Sequence, residues 1–238
     1  MLYKIKICGL TNRRDVDMVA QLGADYGGII VEIEQSPRSQ ALEEAFALSS
    51  DPPLPIVAVT LGKSVDDNVR IVERLKPAAI QLHGNESMEK VSALKRKVSC
   101  EVWKVIHLPA TESGEAVDVE AALRRMRDYI DAGADRLTVD ASSMQKGTRQ
   151  MGGTGKTVDW RAVRYLCERI YQPVILAGGI TPANVVEAIC AVRPYGVDLS
   201  SGVEREKGKK DADMVRSLVT SVRSCETGDA GFRNNPVC

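Results

Sequence analysis

The chain has 238 residues, 44% of them hydrophobic, and its 32 Lys and Arg balance 32 Asp and Glu. A formal net charge of zero removes the electrostatic motive for gripping nucleic acid or an anionic membrane, and no run approaches the roughly 18 apolar residues of a membrane span. Met1-Leu2-Tyr3-Lys4 leads straight into a strand rather than a signal peptide, so the expectation is a soluble, cytoplasmic protein.

In chain order, β-rich runs at 3–8, 26–31, 55–61, 78–82, 101–106, 135–140, 173–177 and 196–199 alternate with helical periodicity near 12–22, 39–49, 65–75, 86–97, 115–132, 158–170, 182–191 and 210–223. Eight strands in strict alternation with eight helices predict an α/β fold, a single (βα)8 TIM barrel over residues 1–224. Gly23 and Gly133 stand where a helix should stop before the next strand, and Thr181-Pro182 reads as a cap followed by proline at the first helical position. From Glu226 onward the chain is rich in Gly, Asn and Pro without periodicity, and residues 225–238 are expected to form a flexible tail.

A barrel of this kind places its chemistry at the carboxyl ends of its strands. That rule selects Cys8, the Ser36-Pro37-Arg38 loop, His83, His107, Asp140, Gly178-Gly179, Asp198 and Ser200-Ser201-Gly202. A thiol (Cys8) and a carboxylate (Asp140) on strand ends make a plausible acid/base pair. Gly178, Gly179, Ser200, Ser201 and Gly202 supply amides and hydroxyls where such barrels hold phosphate. Arg38, fixed by the proline before it, could grip a carboxylate through two parallel hydrogen bonds. Each residue also has a bland reading: Cys8 as a packed small hydrophobe, Asp140 as a loop-fixing carboxylate, the histidines as hydrogen-bonded structural groups, Arg38 as a solvated surface charge.

Gly152-Gly-Thr-Gly-Lys-Thr157 suggests a nucleotide-binding loop, but position 150 is Gln where that pattern needs Gly, so a flexible loop over the site is the expectation. The six cysteines contain no Cys-x-x-Cys pair and there are two histidines, so no zinc site or histidine-rich metal centre is expected; composition leaves carboxylate-bound Mg²⁺ open.

Read in order, Lys-Ile-Cys-Gly-Leu-Thr (6–11), Ser-Pro-Arg (36–38), Gln-Leu-His-Gly-Asn-Glu (81–86), Val-Asp (139–140), Gly-Gly-Thr-Gly-Lys-Thr-Val-Asp-Trp (152–160), Leu-Ala-Gly-Gly-Ile-Thr-Pro-Ala-Asn-Val (176–185) and Gly-Val-Asp-Leu-Ser-Ser-Gly-Val-Glu (196–204) resemble the phosphoribosylanthranilate isomerase family of tryptophan biosynthesis, over residues 4 to 220. The resemblance implies an Amadori rearrangement of a phosphoribosyl small molecule with no redox cofactor; the helix pattern leaves monomer and homodimer both open. It also implies roles: Asp140 the general acid on the ribose ring oxygen, Cys8 the general base at C2, Arg38, His83 and Asp198 on the substrate, and Gly178, Gly179, Ser200, Ser201 and Gly202 on its phosphate.

The chain departs from the family's pattern at Gly28–Gln35, which carries Glu32 and Glu34, in strand three, and at His107. Two other readings stay open: a divergent phosphosugar isomerase, and a catalytically silent binder of phosphoribosyl ligands. A free thiol titrates near about 8.5, and Lys6, although on the face of Cys8, is expected to lie too deep in the barrel to activate it.

Overall fold

The computed structural model describes residues 2–145, 148–151 and 156–227. Eight strands run parallel: β1 (Lys4–Cys8), β2 (Tyr26–Val31), β3 (Ile56–Thr60), β4 (Ala79–Leu82), β5 (Glu101–Pro109), β6 (Arg136–Gln145), β7 (Val174–Leu176) and β8 (Gly196–Leu199). Each pairs with the next in sequence, and β1 pairs with both β2 and β8, which closes the ring. The helices between them are α1 (Arg13–Gln21), α2 (Leu42–Ser49), α3 (Val65–Leu75), α4 (Met88–Lys95), α5 (Val119–Asp131), α6 (Trp160–Cys167) and α7 (Val185–Val192), and α8 (Ala212–Thr227) follows β8. The predicted barrel is therefore the observed one.

Strand alternation sorts the side chains into two layers. Ile5 and Ile7 point outward and are fully buried with the apolar stripes of the helices, as in Val16, Val19, Ile71 and Leu218. The opposite parity faces the barrel axis. At its amino end Val57, Ala79, Trp103 and Ile175 form a separate apolar cluster with Tyr26 and Tyr195, and Tyr26 meets Trp103 edge to face at 5.2 Å. Toward its carboxyl end the buried interior turns polar, with Lys6, Gln81, Thr138, His107, Asp140 and Asp198. The interior is thus filled with hydrocarbon below and ionisable groups above.

The structure corrects several boundaries. α2 begins at Leu42 rather than 39, because Ser39–Gln40 instead add a short parallel strand to β2. β6 continues past Asp140 to Gln145 and pairs antiparallel with Thr148–Met151, where the sequence reading has a polar loop. Ladder hydrogen bonds use the backbone, so the polar composition that suggested a loop does not forbid a hairpin. The proposed loop at 152–157 falls largely outside the described residues, although Lys156 and Thr157 lie against Gly179. α8 runs to Thr227, past the expected start of the tail at 225, and residues 228–238 lie outside the described residues.

One outward-facing charge departs from the apolar outer layer. Lys104, on β5, is buried with its Nζ donating to the carbonyls of Leu82, Gly84 and Val105 at 3.1, 2.6 and 2.9 Å, and it pairs with Glu86 at 3.1 Å. Glu86 Oε1 accepts from the amides of Gly62 and Gly84, and its carbonyl accepts from the Tyr129 hydroxyl. Burial pushes the Lys104 amine down while Glu86 opposes the shift. This clamp fixes the loop that carries His83. Removing one member of a buried pair leaves the other uncompensated, so Glu86→Leu should cost about 3–5 kcal/mol in urea unfolding, whereas Glu86→Gln should cost distinctly less. Equal losses for the two would mean that the charge pair does not matter here.

Candidate active site

The upper barrel is organised around Lys6 and Asp198. The two face each other across the β1–β8 ladder, and Lys6 Nζ donates to Asp198 Oδ2 at 2.6 Å with both side chains buried. Burial opposes the charge on Lys6, but attraction to Asp198 and to Cys8 outweighs it, so the amine is held above the ordinary lysine value.

Cys8 lies two residues along the same face, opposite Gly28 of β2. That position must be glycine, since a Cβ there would stand 2.9 Å from the thiol sulfur. Burial pushes the thiol up; Lys6 pulls it down, Asp198 pushes it up again, and Lys210 pulls it down, for a net rise. The expectation that Lys6 lies too deep to act on Cys8 is thereby corrected. Its four-carbon stem carries the ammonium toward the strand's carboxyl end while its Cα stays below.

Asp140, on β6, is buried, and burial followed by the charge of Asp198 raises its carboxyl to about 7. Its Oδ1 accepts from the Ala141 amide at 2.7 Å, and Oδ2 lies 3.6 Å from His83 Nε2. Gly178, at φ 83°, permits the close approach of the next loop, because a Cβ would come within 3.0 Å of Asp140 Oδ1. His107 is the ladder neighbour of Asp140 and sends Nε2 to the His83 carbonyl at 2.7 Å, so that nitrogen carries the proton. Burial lowers His107 to about 4, which keeps the ring neutral.

On the far side of Cys8, Arg38 donates Nε and Nη2 to the two oxygens of Glu204 at 2.8 and 2.6 Å. Glu204 also accepts from Lys210 at 2.7 Å, and Lys210 reaches the Ser200 carbonyl at 3.1 Å. Arg38 and Ser200 flank Gly9, where a Cβ would meet their side chains at 2.5 and 2.9 Å, so the arginine, the β8 loop and the end of β1 converge. The β7 and β8 loops touch directly: a Cβ on Gly202 would fall 2.0 Å from the Ile180 carbonyl oxygen. The Ser200 hydroxyl oxygen is buried with no hydrogen-bond partner among the described residues. Ser201–Val203 form a single 3-10 turn after it.

The predicted residues therefore gather at one mouth: Cys8, Asp198 and Asp140 around Lys6, His83 against Asp140, Arg38 beside Gly9, and the two phosphate-type loops in contact. Glu32 does not press on this mouth, because it pairs with Lys63 at 3.1 Å and Arg70 at 3.2 Å. Sequence reasoning missed Glu204 and Lys210. Glu204 ends a quoted motif and could have been found, but Lys210 returns through the Glu204–Glu206 and Lys209–Lys210 hairpin, which carries no chemical signal.

The raised carboxyl has a stability consequence. Between about 4 and about 7 the folded chain binds a proton at Asp140 that the unfolded chain, with an ordinary aspartate near 3.8, has lost. Stability falls as pH rises through that window, by up to about 4 kcal/mol for three pKa units. Asp140→Asn should remove the penalty, unfolding at higher urea than the parent at pH 8 and at a similar concentration near pH 4. A variant less stable than the parent at pH 8 would contradict the shift.

A closed (βα)8 barrel with an acid, a thiol and a backbone cradle at the carboxyl ends of its strands defines a small-molecule enzyme of the phosphosugar-handling barrel class. The chain belongs to the N-(5'-phosphoribosyl)anthranilate isomerase family, whose profile matches residues 5–221. It is 35% identical over 228 residues to N-(5'-phosphoribosyl)anthranilate isomerase of Natronomonas pharaonis, covering 94% of this chain and all of that one. It is 37% identical over 227 residues to the Methanothrix thermoacetophila enzyme, with 94% and 100% covered. Among solved structures it resembles the Thermotoga maritima isomerase, a dimeric protein generated as monomers in that structure, with TM-score 0.77, 28% identity and 94% and 100% coverage. A family structure in complex with reduced 1-(o-carboxyphenylamino)-1-deoxyribulose 5-phosphate matches with TM-score 0.75, 26% identity and the same coverage.

Proposed function

We propose that this protein isomerises N-(5-phosphoribosyl)anthranilate to 1-(2-carboxyphenylamino)-1-deoxyribulose 5-phosphate in tryptophan biosynthesis. The observation that carries the reading is the pairing of a buried, proton-holding Asp140 with the Cys8 thiol around one Lys6–Asp198 ion pair, beside two touching glycine and serine loops.

In this reading Asp140 gives its proton to the ribose ring oxygen as the C1–O bond breaks, and the nitrogen lone pair closes a Schiff base to C1. Cys8, as thiolate, takes the proton from C2, and the freed electron pair forms the C1–C2 double bond of an enolamine. Return of a proton to C1 and loss of one from the C2 hydroxyl gives the ketone. C2 is oxidised and C1 reduced within one molecule, so no redox cofactor enters. Burial raises both groups; Lys6 eases that rise at Cys8, and Asp198 adds to it at Asp140.

Glu204 holds one edge of the Arg38 guanidinium, through Nε and Nη2, which leaves Nη1 for the anthranilate carboxylate. His83 lies where it can meet the substrate beside Asp140. Gly178, Gly179, Ser200, Ser201 and Gly202 would take the phosphate, with the unpartnered Ser200 hydroxyl as one donor. The chain would act on this small molecule in the cytoplasm, as a monomer or homodimer, and bind neither nucleic acid nor membrane. Its zero formal charge supports that reading, as does the absence, among the described residues, of a helix long and apolar enough to cross a membrane.

Positioned acids and bases contribute about 10²–10⁴ in rate. Steady-state assays that follow loss of substrate fluorescence should therefore find kcat/KM reduced at least about 10²-fold in both Cys8→Ala and Asp140→Asn. The parent's kcat/KM should rise with pH as Cys8 ionises and flatten near pH 7, where Asp140 begins to lose the proton it must donate. Unchanged turnover by Cys8→Ala would sink the assignment of roles.

A further inference from the structure

The two histidines of the chain, set aside in the sequence as too few for a metal centre, meet at the top of adjacent strands. Their rings stand 5.1 Å apart, edge to face. His83, His107 and Asp140 can each offer one donor atom such that all three lie within 4.8 Å of one another, and His83 Nε2 is 3.6 Å from Asp140 Oδ2. Two imidazoles and a carboxylate are a donor set suited to divalent transition metals.

A second observation is independent of that spacing. His107 donates Nε2–H to the His83 carbonyl, which leaves Nδ1 with a bare lone pair; the side chain is 5% exposed, and Nδ1 has no partner among the described residues. A ring nitrogen fixed by a backbone carbonyl, with the other nitrogen open, is how proteins orient a metal-binding histidine. A purely structural histidine in this place would be expected to satisfy both nitrogens.

Metal–donor bonds of about 2.0–2.2 Å place tetrahedral donors roughly 3.4 Å apart. The observed 3.6 Å pair is already near that spacing, and all three donors lie within 4.8 Å of one another. The nearby cations are matched elsewhere: Lys104 by Glu86, and Lys6 by Asp198. Arg125 also faces His107, and Glu86 offsets it in part.

We propose that His83, His107 and Asp140 bind one divalent transition-metal ion of the zinc or cobalt type. Water or another small ligand would complete the coordination. The site uses the carboxyl assigned above as the acid, but binding itself can be read without any activity.

The test is a Co²⁺ titration of the untagged, metal-stripped protein. The expected result is a visible d–d absorption that saturates at one equivalent, weakened at least about tenfold in His107→Gln, with Zn²⁺ displacing the cobalt. If His107→Gln fails to fold, imidazole NMR of the parent decides, since Zn²⁺ must shift both histidine signals together. Absence of the band, a band indifferent to His107→Gln, a thiolate-to-cobalt charge-transfer band, or histidine signals unmoved by Zn²⁺ would each overturn the site. If cobalt binds while the parent shows no isomerase turnover, the site stands and the activity reading fails.

Discussion

The buried ion pair between Lys6 and Asp198 is the constraint on which the upper half of this barrel depends. Two charges 2.6 Å apart inside a closed ring of strands are tolerable only because each neutralises the other. Their fields also reach the two groups beside them. Burial raises both the Cys8 thiol and the Asp140 carboxyl; Lys6 draws the thiol part of the way back down, and Asp198 adds to the rise at Asp140. A single pair thus acts on both neighbours at once, its ammonium easing and its carboxylate deepening the rise that burial imposes on each.

Such a pair can be held only because the rest of the molecule is ordinary. The outward residues of the strands bind the helices through a continuous apolar layer, and Trp103, Tyr26, Val57 and Ile175 plug the lower barrel. The polar half sits on that plug. Gly28 brings β2 against Cys8, Gly178 brings the next loop against Asp140, and Glu204 gathers Arg38 and Lys210 into one network beside Gly9. The buried, raised carboxyl of Asp140 costs stability as pH rises from about 4 to about 7.

Much of this was legible in the sequence, because alternation of strand and helix fixes the ring and the ring fixes which residues stand at its mouth. Cys8, Asp140, Asp198, His83 and both glycine and serine loops were selected by position alone. Lys6 was seen but misjudged, since its Cα is deep and only the length of its stem brings the charge upward. Lys210 was invisible, because a short antiparallel return after β8 folds it back onto Glu204, the partner of Arg38. The hairpin beyond Asp140 was hidden by its polar composition, and the meeting of His83 with His107 required the register of β4 and β5, which no periodicity encodes.

The central claim is that burial and the charge of Asp198 hold the proton on Asp140 near neutrality. The direct measurement is a pH titration of the Asp140 side-chain carboxyl by ¹³C NMR in the ligand-free protein, repeated in Asp198→Asn. The account predicts a midpoint near 7 in the parent, moving lower in the variant. A midpoint in the parent close to the ordinary 3.8 would contradict it.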